Sequence, residues 1–383
     1  MVSIDRRTLL TSFGAGIPAF SGCLGNSNAD AESGSIDGDS GGSTGTSAEG
    51  PPTVERSLPA AYTADELEGA SRSGGPPPDG IPAIENPRFA EATNPPLSLD
   101  DDDPVFGVVL NGEAKAYPQS ILVWHEIVND AVGGTPVSVT YCPLTGTAQG
   151  FYRGETTFGV SGQLINANLV MFDRATERWW PQILATRITG DNPGDHLAEF
   201  QVVWTTWERW RSVHPETVVL TEDTGFARNY GNDPYGEYNP QSGYYASGSF
   251  LFPPLTEDDR LAPKTVVIGM RSSNGAVAVH KETLREERLV ELDVGGVPHV
   301  AVYDESLDTG YVYRVGSDGE GGDGGNGSDS VDTEPTTLSW EDGAVVVDGD
   351  TYAPDSLPFE REIAFDAMWF AWYGYYPMTD LHQ

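Results

Sequence analysis

One local pattern occurs twice in this chain, 162 residues apart, and it limits the fold more than any other feature. Val132, Gly133, Gly134, Pro136, Tyr141 and Thr147 match Val294, Gly295, Gly296, Pro298, Tyr303 and Thr309 at that offset. The surroundings agree in kind. Val105 to Leu110 runs into Asn111-Gly112 and then Glu113 to Tyr117; Val266 to Gly269 leads to Asn274-Gly275 and then Ala276 to Val279. An Asn-Gly between alternating runs favours a type I′ hairpin turn, because both central residues need positive φ. The two Asn-Gly pairs align at an offset of 163. A helical stretch follows each hairpin: Gln119 to Asn129, opened by Pro118, and Lys281 to Arg288. A Gly-Gly hairpin comes next in both places. We read this as internal duplication; the alternative is chance likeness between two Gly-Gly hairpins. The fold class it implies is α+β and β-rich, with hairpin-built sheets, a few short helices and two duplicated β units.

The copies differ where chemistry would sit. The first ends in Thr140-Tyr141-Cys142-Pro143-Leu144-Thr145, whereas the second has Asp304 in place of Cys142. His125, in Trp124-His125-Glu126, also lacks a histidine counterpart in the second copy. One functional half and one supporting half are therefore expected.

The N-terminus reads Asp5-Arg6-Arg7-Thr8-Leu9-Leu10 and continues as an apolar run to Phe20. Twin arginines before a short apolar stretch resemble a Tat export signal. The run falls short of the ~20 apolar residues that span a bilayer. It ends in Ser21-Gly22-Cys23, which resembles a lipobox, so residues 1–22 are expected to be removed and Cys23 lipidated. An uncleaved anchor is the alternative; either places the folded part outside, held to the outer face of the membrane.

Residues 23–60 are rich in Gly, Ser, Asp and Thr and read as a disordered acidic tether, because they bury too little apolar surface to offset ordering entropy. The same composition returns at 316–337 as an insertion. Residues 61–262 hold the first unit and an aromatic-rich segment, and 263–383 the second unit with an aromatic C-terminus. Leu164 to Phe172 reads as a strand, and Trp204 to Arg211 as a helix start capped by Thr205 or Thr206.

There are 58 acidic and 21 basic residues, a net charge of -37, and only Lys115, Lys264 and Lys281 are lysine. An acidic, lysine-poor chain is similar to haloarchaeal proteins, whose self-repulsion is screened in molar salt, where the Debye length is ~3 Å. No basic stripe exists, which argues against nucleic-acid binding.

With Cys23 lipidated, Cys142 has no disulfide partner, and lone thiols outside the cell are uncommon. A His beside a Cys can make the thiol a nucleophile, with His125 as base and Thr145 or Thr147 as hydrogen-bond donors, or the pair can ligate copper or zinc with a third, distant residue. The bland alternatives are a small buried cysteine and a core histidine bonded to a carbonyl. Zinc-finger and blue-copper spacings are absent, since the next histidine after Cys142 is His196. No phosphate-binding glycine loop, nucleophile elbow or EF-hand spacing occurs. Tyr141, Thr145, Thr147, Asn168, Asp173, Trp180 and Gln182 are the expected pocket residues.

The segments Trp124 to Asp130, Tyr141 to Thr147, Asn168 to Arg174 and Trp204 to Trp207 closely resemble the domain-of-unknown-function family numbered 3179, over about residues 80–380. The resemblance implies an exported protein of archaea or bacteria and supplies no reaction. The expected function is a lipid-anchored extracellular protein with a Cys142–His125 site, metal-binding or thiol-based. The alternative is a non-catalytic surface module that binds a small molecule, glycan or protein, or builds structure.

Overall fold

A computed structural model describes residues 49–96, 99–191, 193–316 and 336–383. The export signal, Cys23 and most of the insertion at 316–337 lie outside the described residues. Small, mostly antiparallel sheets dominate, joined by short helices, in the β-rich α+β organisation expected.

The first unit starts with strands Pro104–Leu110 and Glu113–Pro118, joined by Asn111-Gly112. Both turn residues have positive φ, 49° and 81°, as a type I′ turn requires. Helix Gln119–His125 follows, then strands Ile127–Val132, Thr135–Cys142 and Thr147–Tyr152. Shifted by 162 residues, all six elements recur with identical bounds: Val266–Ser272, Gly275–His280, Lys281–Glu287, Leu289–Val294, Val297–Asp304 and Thr309–Arg314. The correspondence continues further along the chain, where Trp207, Trp210, Pro215 and Thr217 match Trp369, Trp372, Pro377 and Thr379 at the same offset. Strand Val203–Thr206, helix Trp207–Val213 and strand Val218–Leu220 are echoed by Ala364–Met368, Trp369–Tyr375 and Asp380–His382. The last strand lies parallel to the second hairpin strand in both units, with Val218 opposite Lys115 and Asp380 opposite Val277.

Matched packing accompanies this order. The Trp210 ring covers Gly107, where a Cβ would come within 2.1 Å of it, and Trp210 Nε1 donates to Thr217 Oγ1 at 2.9 Å. Trp372 covers Gly269 in the same way, at 2.3 Å, and its Nε1 donates to Thr379 Oγ1 at 3.0 Å. Only glycine lets an indole lie flat on a strand at that distance.

Several elements differ from expectation. The first helix ends at His125 rather than Asn129: Glu126 turns left-handed at φ 59°, and the β-branched pair Ile127-Val128 starts a strand. The stretch Leu164 to Phe172 is a hairpin, Phe158–Ile165 and Asn168–Asp173, because Asn166 and Ala167 both take positive φ. Trp204 to Thr206 is strand; the helix begins at Trp207, and Thr206 at its N-cap makes no side-chain capping bond. The second Asn-Gly does not sit where the first does, since Gly275 already belongs to its strand. Within the span read as tether, Thr53–Val54 pairs with His196–Leu197 and Arg56 meets Glu362 at 2.9 Å, with Pro51 and Leu58 buried alongside.

The largest core cluster joins Phe106, Tyr141 and Leu169 to Val267, Phe365 and Trp369; a second joins Val105, Val203 and Trp207 to Val300, Val302 and Val345. Both draw on residues from either side of position 262. No helix among the described residues is long and apolar enough to cross a membrane.

Candidate functional site

Cys142 ends strand Thr135–Cys142 and lies across from Thr147 on the next strand. It is 1% exposed, its Sγ is 3.8 Å from the Ala167 carbonyl, and it forms no disulfide. His125 ends its helix fully buried, with both ring nitrogens engaged elsewhere. Nδ1 is 2.7 Å from the Pro82 carbonyl and Nε2 is 2.8 Å from the Tyr230 hydroxyl. A carbonyl only accepts, so Nδ1 carries the proton and Nε2 accepts from Tyr230. Burial pushes the His125 pKa down to about 4, against the bond to Pro82, so the ring is neutral near pH 7. The arrangement is that of a core histidine bonded to a carbonyl and a hydroxyl. Among the described residues no group of three or more His, Cys, Asp or Glu gathers to hold a metal.

The other expected pocket residues form a closed interior network. Thr145 and Thr147 hydroxyls meet at 2.8 Å, and Thr147 donates to Gln182 Oε1 at 2.7 Å. Asn168 Nδ2 donates to Thr145 Oγ1 at 3.1 Å and Gln182 Oε1 at 2.9 Å, and its Oδ1 accepts the Ile183 amide. Gln182 Nε2 returns to Thr140 Oγ1 at 2.9 Å. Thr145, Thr147, Asn168 and Gln182 all have zero exposure. Such a network is complete in itself: each polar group spends its bonds on another, which fixes the Pro143–Gly146 loop after Cys142. Asp173 closes a turn, taking the Thr176 amide at 2.7 Å and Trp180 Nε1 at 3.0 Å. The Tyr141 hydroxyl lies with Gln119 at 3.3 Å and Tyr245 at 3.4 Å.

An open site lies where the two units meet. A cleft of about 410 Å³ is bounded by Pro104, Trp204 to Thr206 and Tyr238 on one side, and by Lys264 to Val266, His280 to Glu282, Arg285, Asp308 and Asp366 on the other. Two of the three lysines in the chain are on its wall. Lys281 Nζ meets Asp366 Oδ2 at 2.6 Å. Burial pushes the Asp366 carboxyl up, and Lys281 opposes this. Arg285 takes both oxygens of Asp308, at 2.7 and 3.0 Å, and also meets Glu282. Burial works against the Asp308 charge, but Lys281, Tyr303 and Arg285 together hold its carboxyl below the ordinary range.

Lys264 differs from these. Its amine lies 3.2 Å over the Tyr244 ring, donates to the Tyr244 carbonyl and meets Ser247 Oγ at 3.0 Å. No carboxylate among the described residues pairs with it, and burial pushes its pKa down to about 8. Trp204 and Tyr238 stand 4.8 Å apart, centroid to centroid, as an aromatic wall. The Cys142 loop supports this wall from behind: Tyr244 donates its hydroxyl to the Leu144 carbonyl at 2.7 Å, and the Met368 amide reaches the Thr145 carbonyl at 3.0 Å.

Fold and site together define a β-rich α+β protein of two matched units with a charged, aromatic cleft between them. The chain belongs to the family described as a protein of unknown function, DUF3179, whose profile matches residues 78–379. No curated protein and no solved structure matches it. Sequence reasoning missed Lys264, Lys281 and Arg285. The signal that could have found them is the scarcity of lysine: in a chain that keeps only three, each position invites a question.

Proposed function

We propose that this is an exported, membrane-anchored binding protein that holds a small polar ligand in the cleft between its units. The cleft itself carries the proposal. It is large enough for a small molecule, both units line it, and it combines an aromatic wall with a few placed charges. Cys142 and His125 are both buried and do not line this cleft. In this reading the Cys142 loop is a brace for Tyr244, and Tyr244 in turn seats Lys264. The twin arginines and the Ser21-Gly22-Cys23 motif support delivery to the outer membrane face with a lipid on Cys23.

The test is mass spectrometry of small molecules released by denaturing the natively purified full chain, beside Thr206→Trp and Glu282→Trp, which fill the cleft from opposite walls. One species near equimolar amount, lost in both folded variants, is expected. A species kept by both variants would move the ligand elsewhere. Replacing Cys23 with Ala should release the protein from membranes into the medium.

A further inference from the structure

We infer that the cleft selects a small ring-bearing organic carboxylate, with Lys264 as the group that receives the acid; this rests on the cleft being the ligand site. Three observations converge. The first is charge matching along the wall. Lys281 is matched by Asp366, and Arg285 by Asp308 and by the rim residue Glu282. Lys264 is left without a carboxylate among the described residues. Its amine spends donors on two neutral acceptors, the Tyr244 carbonyl and Ser247 Oγ, and rests on the Tyr244 ring, so its charge is held by neutral groups alone. A cation in a recess meets less screening than one on the open surface, so an acid placed there gains a charge-assisted bond.

The second observation is unmet polar capacity on the same wall. Thr205 is 4% exposed, lines the cleft, and carries a buried hydroxyl with no partner. A buried hydroxyl without a bond costs free energy that a ligand oxygen would recover.

The third comes from the repeat. At the offset of 162, Gln119 in the first unit corresponds to Lys281 in the second. In the first unit the space before that residue is occupied by protein: Gln119 Nε2 donates to the Asp233 carboxylate at 2.7 Å and the Tyr245 hydroxyl at 3.1 Å, and Tyr245 donates to Asp233 at 2.8 Å. A ring and a carboxylate fill the first unit's recess. In the second unit Lys281 faces the cleft. The Trp204 and Tyr238 faces offer a ring a stacking surface there.

The test is calorimetric titration of the full chain with two acids and their neutral counterparts, glucuronate against glucose and benzoate against benzyl alcohol. At least one acid should bind with a Kd below about 1 mM. Its neutral counterpart should bind at least about tenfold more weakly, and Lys264→Met and Thr205→Val should each weaken the acid by about tenfold. Two variants from opposite walls guard against misfolding in either. If a neutral counterpart binds as tightly as its acid, the inference falls while the cleft reading stands. If an acid binds but neither variant weakens it, the site lies elsewhere and both fall. If none of the four probes binds, the inference is overturned, and the released-ligand experiment decides the cleft reading alone.

Discussion

At the scale of single residues, Lys264 and Cys142 exchange the roles their sequence contexts suggest. Cys142 stands in a distinctive motif yet is sealed inside, whereas Lys264 stands in an unremarked Ala262-Pro263-Lys264 and reaches an open cleft. Burial makes the Cys142 thiol inaccessible to solvent reagents. A thiol reagent should therefore leave the native protein unmodified for hours and react within minutes once denaturant unfolds it, read by mass; prompt reaction in the native state would restore the thiol-based reading. For Lys264 the sign of the pH effect follows from its amine being pushed down to about 8. The protonated form receives an acid and the neutral form does not. Acid affinity should hold below pH 8 and weaken above it, approaching about tenfold per pH unit, measured by titration at fixed ionic strength. The groups in contact with this amine are Tyr244 and Ser247, while His280, Lys281, Glu282, Arg285, Asp308 and Asp366 are the titratable and charged residues elsewhere on the cleft lining. Lys264→Met should abolish the pH dependence.

At the scale of elements, the hairpins were legible because their turns are chemically specified. Gly133-Gly134 and Gly295-Gly296 carry positive φ at both residues, and so does Asn111-Gly112. The end of the first helix was not legible. Glu126 has no compositional mark of a left-handed residue, and Ile127 and Val128 suit a helix's apolar face as well as a strand. The hairpin at Asn166-Ala167 was hidden for the same reason, since alanine rarely takes positive φ. The strand–helix–strand echo at 203–220 and 364–382 also escaped notice. What it preserves is a contact of indole on glycine: Gly107, Trp210 and Thr217 match Gly269, Trp372 and Thr379 at the same offset of 162, but their meeting shows only in the fold. That contact sets a paired expectation. Gly107→Ala and Gly269→Ala should each cost about 1–3 kcal/mol by forcing the indole away, while Gly248→Ala, with nothing within 4 Å, should stay within about 0.5 kcal/mol. Denaturant melts of the three variants check this; a cost at one glycine alone would show that the two contacts are not equivalent.

At the scale of the whole molecule, charge and cleft belong together. A net charge of -37 repels itself in dilute buffer, where the screening length is about 10 Å at 0.1 M salt, and is quieted near 3 Å at 1 M. Raising salt from 0.1 to 2 M should lift Tm by about 5 °C or more in calorimetry; a flat response would mean the acidic surface is neutralised by other means. The cleft was the least legible feature. Its wall is assembled from Pro104, Trp204, Tyr238, Lys264, Lys281, Asp308 and Asp366, spread over most of the chain, and no local spacing links them. The buried network of Thr145, Thr147, Asn168 and Gln182 was legible as a cluster of residues but not as closed, because closure depends on donors and acceptors meeting across three strands.

The scarcity of lysine makes one measurement decisive. Biosynthetic incorporation of ¹³C-lysine labels three side chains, Lys115, Lys264 and Lys281, and leaves their amine donors intact. Lys115 is held by Asp130 at 3.0 Å, away from the cleft wall, and serves as the internal reference. Titration with glucuronate and then benzoate, followed by NMR, should move the Lys264 resonance saturably while Lys115 stays still. Resonances that stay fixed with both acids in excess, or that all drift together without saturation, would contradict ligand binding at Lys264.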